Sequence, residues 1–499
     1  MAEDLPPQDV VIVGGGVNGA GIARDAAGRG LRVLLAERGD LGGATSSASS
    51  KLIHGGLRYL EHMAFRLVRE ALAERDVLLR SAPHIVWPLE FVLPVSPDGR
   101  PAWMLRLGLL LYDNLAWSPR GRGTSLPRSR AIDLLAPPYS GFLRPDRARG
   151  FSYADCWVDD ARLVVLCAVD AAARGATILP RTEMVSADRV DGGWRVRLRG
   201  QDGALRDVAT RAVVNAAGPW AGEVLAGRLR ANASAAMRLV KGSHVVVPRL
   251  HPGAHAFILQ NDDGRIVFVI PYERDFTLIG TTDTPFDGDP ARVAIDEAEI
   301  AYLCRAASLH AARPVLPGDV AWSYSGVRPL HDDGSQSASA VSRDYVLELV
   351  GGPGASPLLS IFGGKITTFR RLAEHAMEIL APSLPGLRPA WTGGATLPGG
   401  DVPSGDFEGF AGELQRAHRD IPAEHVHAIA RRHGTRALAF LGAGGLGRHF
   451  GAGLYEAEVD FLRREEWACS AEDVLWRRTK AGLHLSAEAR DAVAAWMGR

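Results

Sequence analysis

The stretch Val10-Val11-Ile12-Val13-Gly14-Gly15-Gly16-Val17-Asn18-Gly19 decides the fold. Four consecutive apolar residues read as a short strand buried on both faces, and the small-residue run from Val17 to Arg29 reads as a helix packed against it. A second strand from Arg32 to Glu37 completes a βαβ start. In the turn, Gly14 permits the sharp reversal, Gly16 lets backbone approach a pyrophosphate, and Gly19 lets helix and strand pack closely. The helix N-terminus offers its unpaired N–H groups and positive dipole end to phosphate oxygens. Glu37 ends the second strand 18 residues past Gly19. A carboxylate there accepts hydrogen bonds from an adenosine ribose and disfavours a 2′-phosphate, hence NADP.

NAD and FAD share this turn, so later segments must separate them. Gly42-Gly43-Ala44-Thr45-Ser46-Ser47-Ala48-Ser49-Ser50-Lys51 reads either as a loop whose hydroxyls (Thr45, Ser46, Ser47, Ser50) wrap a pyrophosphate or as a surface linker. Two further glycine turns break the tie: Asn215-Ala216-Ala217-Gly218-Pro219-Trp220, and Phe362-Gly363-Gly364-Lys365-Ile366-Thr367-Thr368, each ending a strand. Several remote sites of close backbone approach suit a long, extended, tightly held FAD better than an exchangeable nicotinamide.

The chain has 499 residues, which bounds it to about three folding units. Lys+Arg and Asp+Glu are equal at 57 each, so no overall field draws the molecule to nucleic acid, and any basic site is local. Four cysteines form no CxxC pair, and no HExxH or Cys/His cluster occurs, so neither a disulfide framework nor a metal site is expected. The N-terminus matches neither a signal nor a transit peptide, and no apolar run is long enough to span a bilayer. A cytoplasmic protein is expected, with surface attachment to a membrane left open.

Period-two runs between Thr182 and Asn215, broken at Asp191-Gly192-Gly193 and Asp202-Gly203, predict antiparallel hairpins, and Gly242 to Gly280 predicts a meander. After the Pro/Gly-rich stretch 381–400 helical signals dominate, with Ser470 and Asp473 spaced as a capping box. The expected fold is α/β plus α+β. A Rossmann-like FAD-binding domain (1–75, 151–235 and 340–385) interleaves with an antiparallel-sheet substrate domain (76–150 and 236–339), and a C-terminal helical domain (386–499) follows.

At this point a family resemblance becomes specific. Ser46 to Glu61 (SSASSKLIHGGLRYLE), Lys241-Gly242-Ser243-His244, Ile279-Gly280-Thr281-Thr282-Asp283, Tyr324-Ser325-Gly326-Val327-Arg328-Pro329-Leu330, Phe362 to Thr368 and Asp473-Val474-Leu475-Trp476-Arg477-Arg478-Thr479-Lys480 carry it. The chain resembles the bacterial aerobic FAD-dependent glycerol-3-phosphate dehydrogenases over nearly its whole length. The resemblance implies a D-amino-acid-oxidase-like architecture and oxidation of sn-glycerol 3-phosphate to dihydroxyacetone phosphate, with electrons passed to membrane quinone. It also implies a homodimer held peripherally on the inner face of the cytoplasmic membrane.

Oxidation of a secondary alcohol by a flavin needs an anchor for the phosphate, a proton acceptor, and a carbon held close to flavin N5. Guanidinium forks suit a phosphate, which selects Arg58, beside Tyr59, and Arg328, with Arg343 as a third candidate that has an acidic neighbour in Asp344. His54 and His244 are candidates for the proton, Lys365 for charge on the flavin ring, and Arg328 for polarising the hydroxyl. Residue types alone do not choose the base among them. Thr281 is expected to line the substrate cavity, its alternative being simple strand propensity. Arg477-Arg478 reads as a solvated or dimer-contact helix face, and 101–117 as either an interfacial helix or a buried one. Competing functions are a soluble oxidase passing electrons to oxygen, an amino-acid or amine oxidase, and a non-catalytic nucleotide-binding protein.

Overall fold

The computed structural model describes residues 4–96, 99–115, 126–231, 237–331, 344–352, 354–442 and 445–498, with the side chains of Arg58 and His62 outside that description. β1 (Leu5–Val13), α1 (Val17–Gly28) and β2 (Val33–Ala36) form the expected βαβ start. β1 lies between β2 and the strand Leu205–Asn215, parallel to both, which is why Val10, Val11 and Ile12 are fully buried. Leu358–Phe362 and Thr177–Leu179 extend the parallel sheet on its two sides. α1 is built of small residues because it is packed on several sides. A side-chain carbon on Gly21 would meet the Phe369 ring at 2.7 Å, and one on Gly28 the Trp391 indole at 2.1 Å.

The parallel register brings Val13, Ala36 and Asn215 to one edge, with Phe362 two residues past Ser360, the last of its strand to pair with Leu205–Asn215. Ligands of open α/β sheets bind at such carboxyl ends. The hairpin Glu183–Val190 and Gly193–Arg199 joins the near half of Leu205–Asn215 in antiparallel pairing.

The second sheet contains the meander Ala256–Gln260, Ile266–Tyr272 and Phe276–Gly280, flanked by the long strand Met237–Pro248 and its partner Trp322–His331. It also recruits Leu52–Ile53 and Arg149–Val158; the sequence placed the first, and the second from Phe151 on, in the FAD-binding segments. The reason is local. The chain changes layer between Val158 and Asp160, where Asp159 caps the helix Asp160–Ala173 by accepting the Arg162 N–H. The step therefore falls at the helix start, about one strand later than expected.

The C-terminal helices Phe407–Ala417, Ala423–His433, Glu456–Glu465 and Ala487–Met497 share a core of their own, including Val426, Ile429, Val459, Leu462 and Val493. Buried inside it, Glu458 accepts from Arg432 Nε at 2.6 Å and bonds His433 Nε2 at 2.8 Å. Burial pushes the Glu458 carboxyl up, but Arg432 and His433 outweigh that and hold it at about 2 against an ordinary 4.5. A depressed carboxyl contributes its stability fully above the unfolded value and loses it as pH falls toward the folded value. Glu458→Gln is therefore expected to be less stable than the parent at neutral pH, with the gap shrinking between pH 4.5 and 2. Urea unfolding across that range measures it.

Candidate active site

A cavity of about 820 Å³ runs along the carboxyl ends of the parallel strands. Its wall includes Gly14 and Gly16 after β1, Glu37 to Asp40 after β2, Ala216 to Trp220, Gly363-Gly364, Thr45 to Ala48, and Ser325 to Val327. The glycines are dictated by space. At Gly14, φ is +108° and an added side-chain carbon would lie 2.4 Å from the Ala216 carbonyl. At Gly19 it would lie 1.8 Å from the Gly14 carbonyl. Gly363 and Gly364 both have positive φ, and Asn18 Nδ2 donates to the Gly363 carbonyl at 3.2 Å, tying two glycine turns together.

Glu37 braces this end. Its Oε2 accepts the Gly15 N–H at 2.6 Å and its Oε1 the Gly39 N–H at 2.7 Å. The hydroxyl loop is part of the wall. Ser46 Oγ accepts the Val17 N–H at the start of α1 (3.0 Å), Thr45 Oγ1 donates to the Val327 carbonyl (2.6 Å), and Ser47 Oγ donates to the Ala44 carbonyl (3.2 Å). Ser50 instead turns to His244, Oγ to Nε2 at 2.8 Å. The extended cleft, backbone cradle and helix N-terminus fit a flavin adenine dinucleotide, and Glu37 and the glycine turn are the groups that could meet its ribose and pyrophosphate.

Arg328 lies on the strand Trp322–His331, whose Val327 and Pro329 line the cavity, and its own side chain is not part of that wall. Its Nη1 is paired with Asp283, while Nη2 donates to Thr281 Oγ1 at 3.0 Å and to the Thr282 carbonyl at 3.3 Å. Gly242 on the neighbouring strand leaves room for the guanidinium in this position, since a side-chain carbon there would come within 2.1 Å of it. Arg328 and Thr281 are thus brought together by a direct hydrogen bond.

A second group joins Lys365, Tyr59, His54 and Thr367. Lys365 Nζ lies 3.8 Å above the Tyr59 ring, and the His54 N–H donates to Thr367 Oγ1 at 3.3 Å. Behind it, the Gly55 N–H donates to the Tyr112 hydroxyl (2.8 Å), which donates to buried Asp155 (2.6 Å), itself paired with Arg75 (2.7 Å). This polar chain locks the Gly55-Gly56 turn from inside the protein.

His244 stacks on Tyr324 with centroids 4.8 Å apart and is 1% exposed. Burial, with Arg328 and Lys51 nearby, holds it well below the ordinary imidazole range, so it is neutral. The Arg58 side chain and all of Arg343 lie outside the described residues.

Three features escaped sequence reasoning. Lys51 is buried against Asp160 at 2.7 Å, a pair 109 residues apart. Arg38 covers the Trp220 ring at 4.1 Å, and its position beside Glu37 was the available signal. Arg477 and Arg478 are not a solvated face: Arg478 is fully buried, and both grip Asp40. Among the described residues no cluster of side chains could hold a metal, and no helix is long and apolar enough to cross a membrane.

A two-layer flavoprotein architecture with a dinucleotide cradle defines the class: an FAD-binding oxidoreductase. Residues 9–370 match the family described as FAD dependent oxidoreductase, and residues 390–499 match the C-terminal domain of alpha-glycerophosphate oxidase. The chain belongs to this FAD-dependent oxidoreductase family; it is an enzyme and its cofactor is FAD. It is 52% identical to a glycerol-3-phosphate dehydrogenase of Pseudomonas aeruginosa (96% of this chain, 92% of the relative). It is 51% identical to a D-erythritol 1-phosphate dehydrogenase of Brucella abortus (98% and 97%). Among solved structures, the glycerol-3-phosphate dehydrogenase of Bacillus halodurans complexed with FAD matches with a TM-score of 0.77 at 27% identity, covering 99% of this chain and 90% of that one.

Proposed function

We propose that this enzyme oxidises sn-glycerol 3-phosphate to dihydroxyacetone phosphate and passes the electrons to membrane quinone. The observation that carries the reading is Arg328, a guanidinium fixed by Asp283 and Thr281 on the strand that also contributes Val327 and Pro329 to the coenzyme cavity wall. Held there by its protein partners, the guanidinium would set a fixed positive charge toward a phosphorylated polyol and polarise its hydroxyl. FAD, when bound, would supply the two-electron acceptor for the hydride leaving the substrate carbon. The proton goes to His54, which is half-buried, whereas His244 at 1% exposure offers a substrate almost no surface and acts by positioning Ser50 and Tyr324. Lys365, above Tyr59, would supply positive charge toward the reduced flavin.

A second reading has comparable support from relatives, because the D-erythritol 1-phosphate dehydrogenase matches nearly end to end. Both substrates are phosphorylated polyols, and they differ in length. Initial rates with each, using a quinone analogue as acceptor and peroxide detection as the alternative, test the reading. Faster quinone reduction with glycerol 3-phosphate is expected. Preference for the four-carbon substrate, or stoichiometric peroxide, would overturn it.

Membrane attachment is part of the proposal and is supported by the helix Ala102–Leu115. Its Leu105, Leu109 and Tyr112 enter the core, while Trp103, Leu107, Leu110 and Leu111 face outward, Trp103 with 67% of its surface exposed. An apolar outer face ending in tryptophan suits an interfacial helix. Leu107→Glu with Leu110→Glu is expected to lower binding to anionic vesicles by about tenfold or more, leaving the core-facing residues untouched. Vesicle co-sedimentation measures it. The homodimer implied by the resemblance is checked by light scattering on the same samples.

A further inference from the structure

Asp40, in the loop after β2, is 6% exposed and holds two arginines of the C-terminal domain. Arg477 Nε reaches its Oδ2 at 2.5 Å, and Arg478 donates to Oδ2 and Oδ1 at 2.6 and 2.8 Å. The neighbouring loop is tied to the same segment, because Arg181 Nη2 donates to Asp473 at 2.5 Å. Those two loops also hold each other: the Arg181 N–H donates to the Gly39 carbonyl and the Thr182 N–H to the Glu37 carbonyl, each at 2.8 Å. Glu37 in turn fixes the Gly15 N–H. A continuous set of hydrogen bonds therefore runs from the C-terminal domain to the glycine turn. Glu472, Trp476 and Arg477 themselves line the coenzyme cavity, and Trp476 stacks on Trp322 of the antiparallel sheet at 4.7 Å.

Arg477 is not built to bind phosphate. Each of its three nitrogens already meets a carboxylate: Asp40, Glu472 at 2.8 Å and Asp473 at 2.6 Å. Arg181, Arg477 and Arg478 are balanced by Asp40, Glu472 and Asp473, so the cluster presents no net charge to the cavity. Its effect is on geometry.

We propose that the C-terminal domain is the retaining clamp of the coenzyme: the segment Asp473–Arg478, acting through Asp40 and Arg181, holds the ribose-side wall of the cavity in place. Asp40, Arg181, Arg477 and Arg478 are positioning residues. Coupling is reciprocal, so FAD in the cavity also holds the domain docked. The inference rests on the coenzyme and is independent of the substrate.

The test uses full-length holoenzyme without substrate. FAD release is followed by the fluorescence of liberated flavin, and melting temperature is measured with and without saturating FAD. Asp40→Asn is expected to raise the FAD off-rate by about tenfold or more, and to narrow the melting gap between FAD-loaded and FAD-free protein. Arg181→Gln, at a partly exposed position, is expected to act in the same direction more weakly and serves if Asp40→Asn does not fold. Glu458→Gln, inside the C-terminal core, is the control for destabilisation alone. An off-rate and melting gap equal to the parent's in Arg181→Gln and in any folded Asp40→Asn protein would overturn the proposal, as would equal effects from Glu458→Gln. A wrong substrate assignment changes neither readout.

Discussion

Arg328→Lys is expected to lower kcat/KM for glycerol 3-phosphate by about 10²–10³-fold, as loss of a preorganised donor in an active site does. Arg328 divides its work geometrically: one nitrogen is committed to Asp283, the other to Thr281 Oγ1 and the Thr282 carbonyl. A lysine ammonium is a single point and cannot keep Asp283 while presenting a planar edge to substrate oxygens. The loss is expected in both constants, KM rising because phosphate grip weakens and kcat falling because the hydroxyl is no longer polarised. Flavin content, read from the visible absorbance per protein, is expected to match the parent's, which separates this effect from coenzyme loss. A kcat/KM within about threefold of the parent's would remove Arg328 from the reacting centre.

Gly19→Val is expected to yield protein with under about a tenth of the parent's flavin, a loss of at least about 1.4 kcal/mol in coenzyme binding. The first added carbon would stand 1.8 Å from the Gly14 carbonyl, and this obstacle is backbone, with no flexible side chain to yield. Either α1 moves away from β1, opening the pyrophosphate cradle, or the turn itself is rebuilt. Gly222→Ala makes the comparison fair, since its nearest neighbour, the Met237 terminal methyl, is at an ordinary 3.6 Å. That variant is expected to retain full flavin. Absorbance ratios after purification with excess FAD decide both cases.

How far these residues could be read in advance follows from the range of the interactions that place them. The turn Gly14 to Gly19 was legible because its requirement is local: tight backbone approach excludes every residue but glycine, and strand, helix and acid lie within a few tens of positions. The meander was legible for the same reason, alternation and turn residues being short-range signals. Arg477 and Arg478 were misread as a surface pair because their partner, Asp40, lies 437 and 438 positions earlier. Two adjacent arginines carry no sign of such a distant counter-charge.

The helix Ala102–Leu115 shows an intermediate case. Its composition suits lipid and core equally, and packing assigns both: Leu109 is fully buried and Leu110 is exposed. The strand Arg149–Val158 was placed in the wrong layer because a buried strand reads alike in either sheet until its hydrogen-bond partners are known. Lys51 is the least legible, a lysine in a hydroxyl-rich loop that reads as solvated. Asp160, the Ser47 carbonyl and the Tyr324 ring together make its burial tolerable.

The central claim is that a phosphorylated polyol gives its electrons to FAD held in this cleft. Anaerobic mixing of the flavin-loaded enzyme with sn-glycerol 3-phosphate tests it most directly, with the flavin absorbance followed in time. Complete bleaching within the turnover time, and its loss in Arg328→Lys on the same timescale, is the expected result. A fully flavin-loaded sample that stays yellow with both glycerol 3-phosphate and erythritol 1-phosphate would contradict the claim.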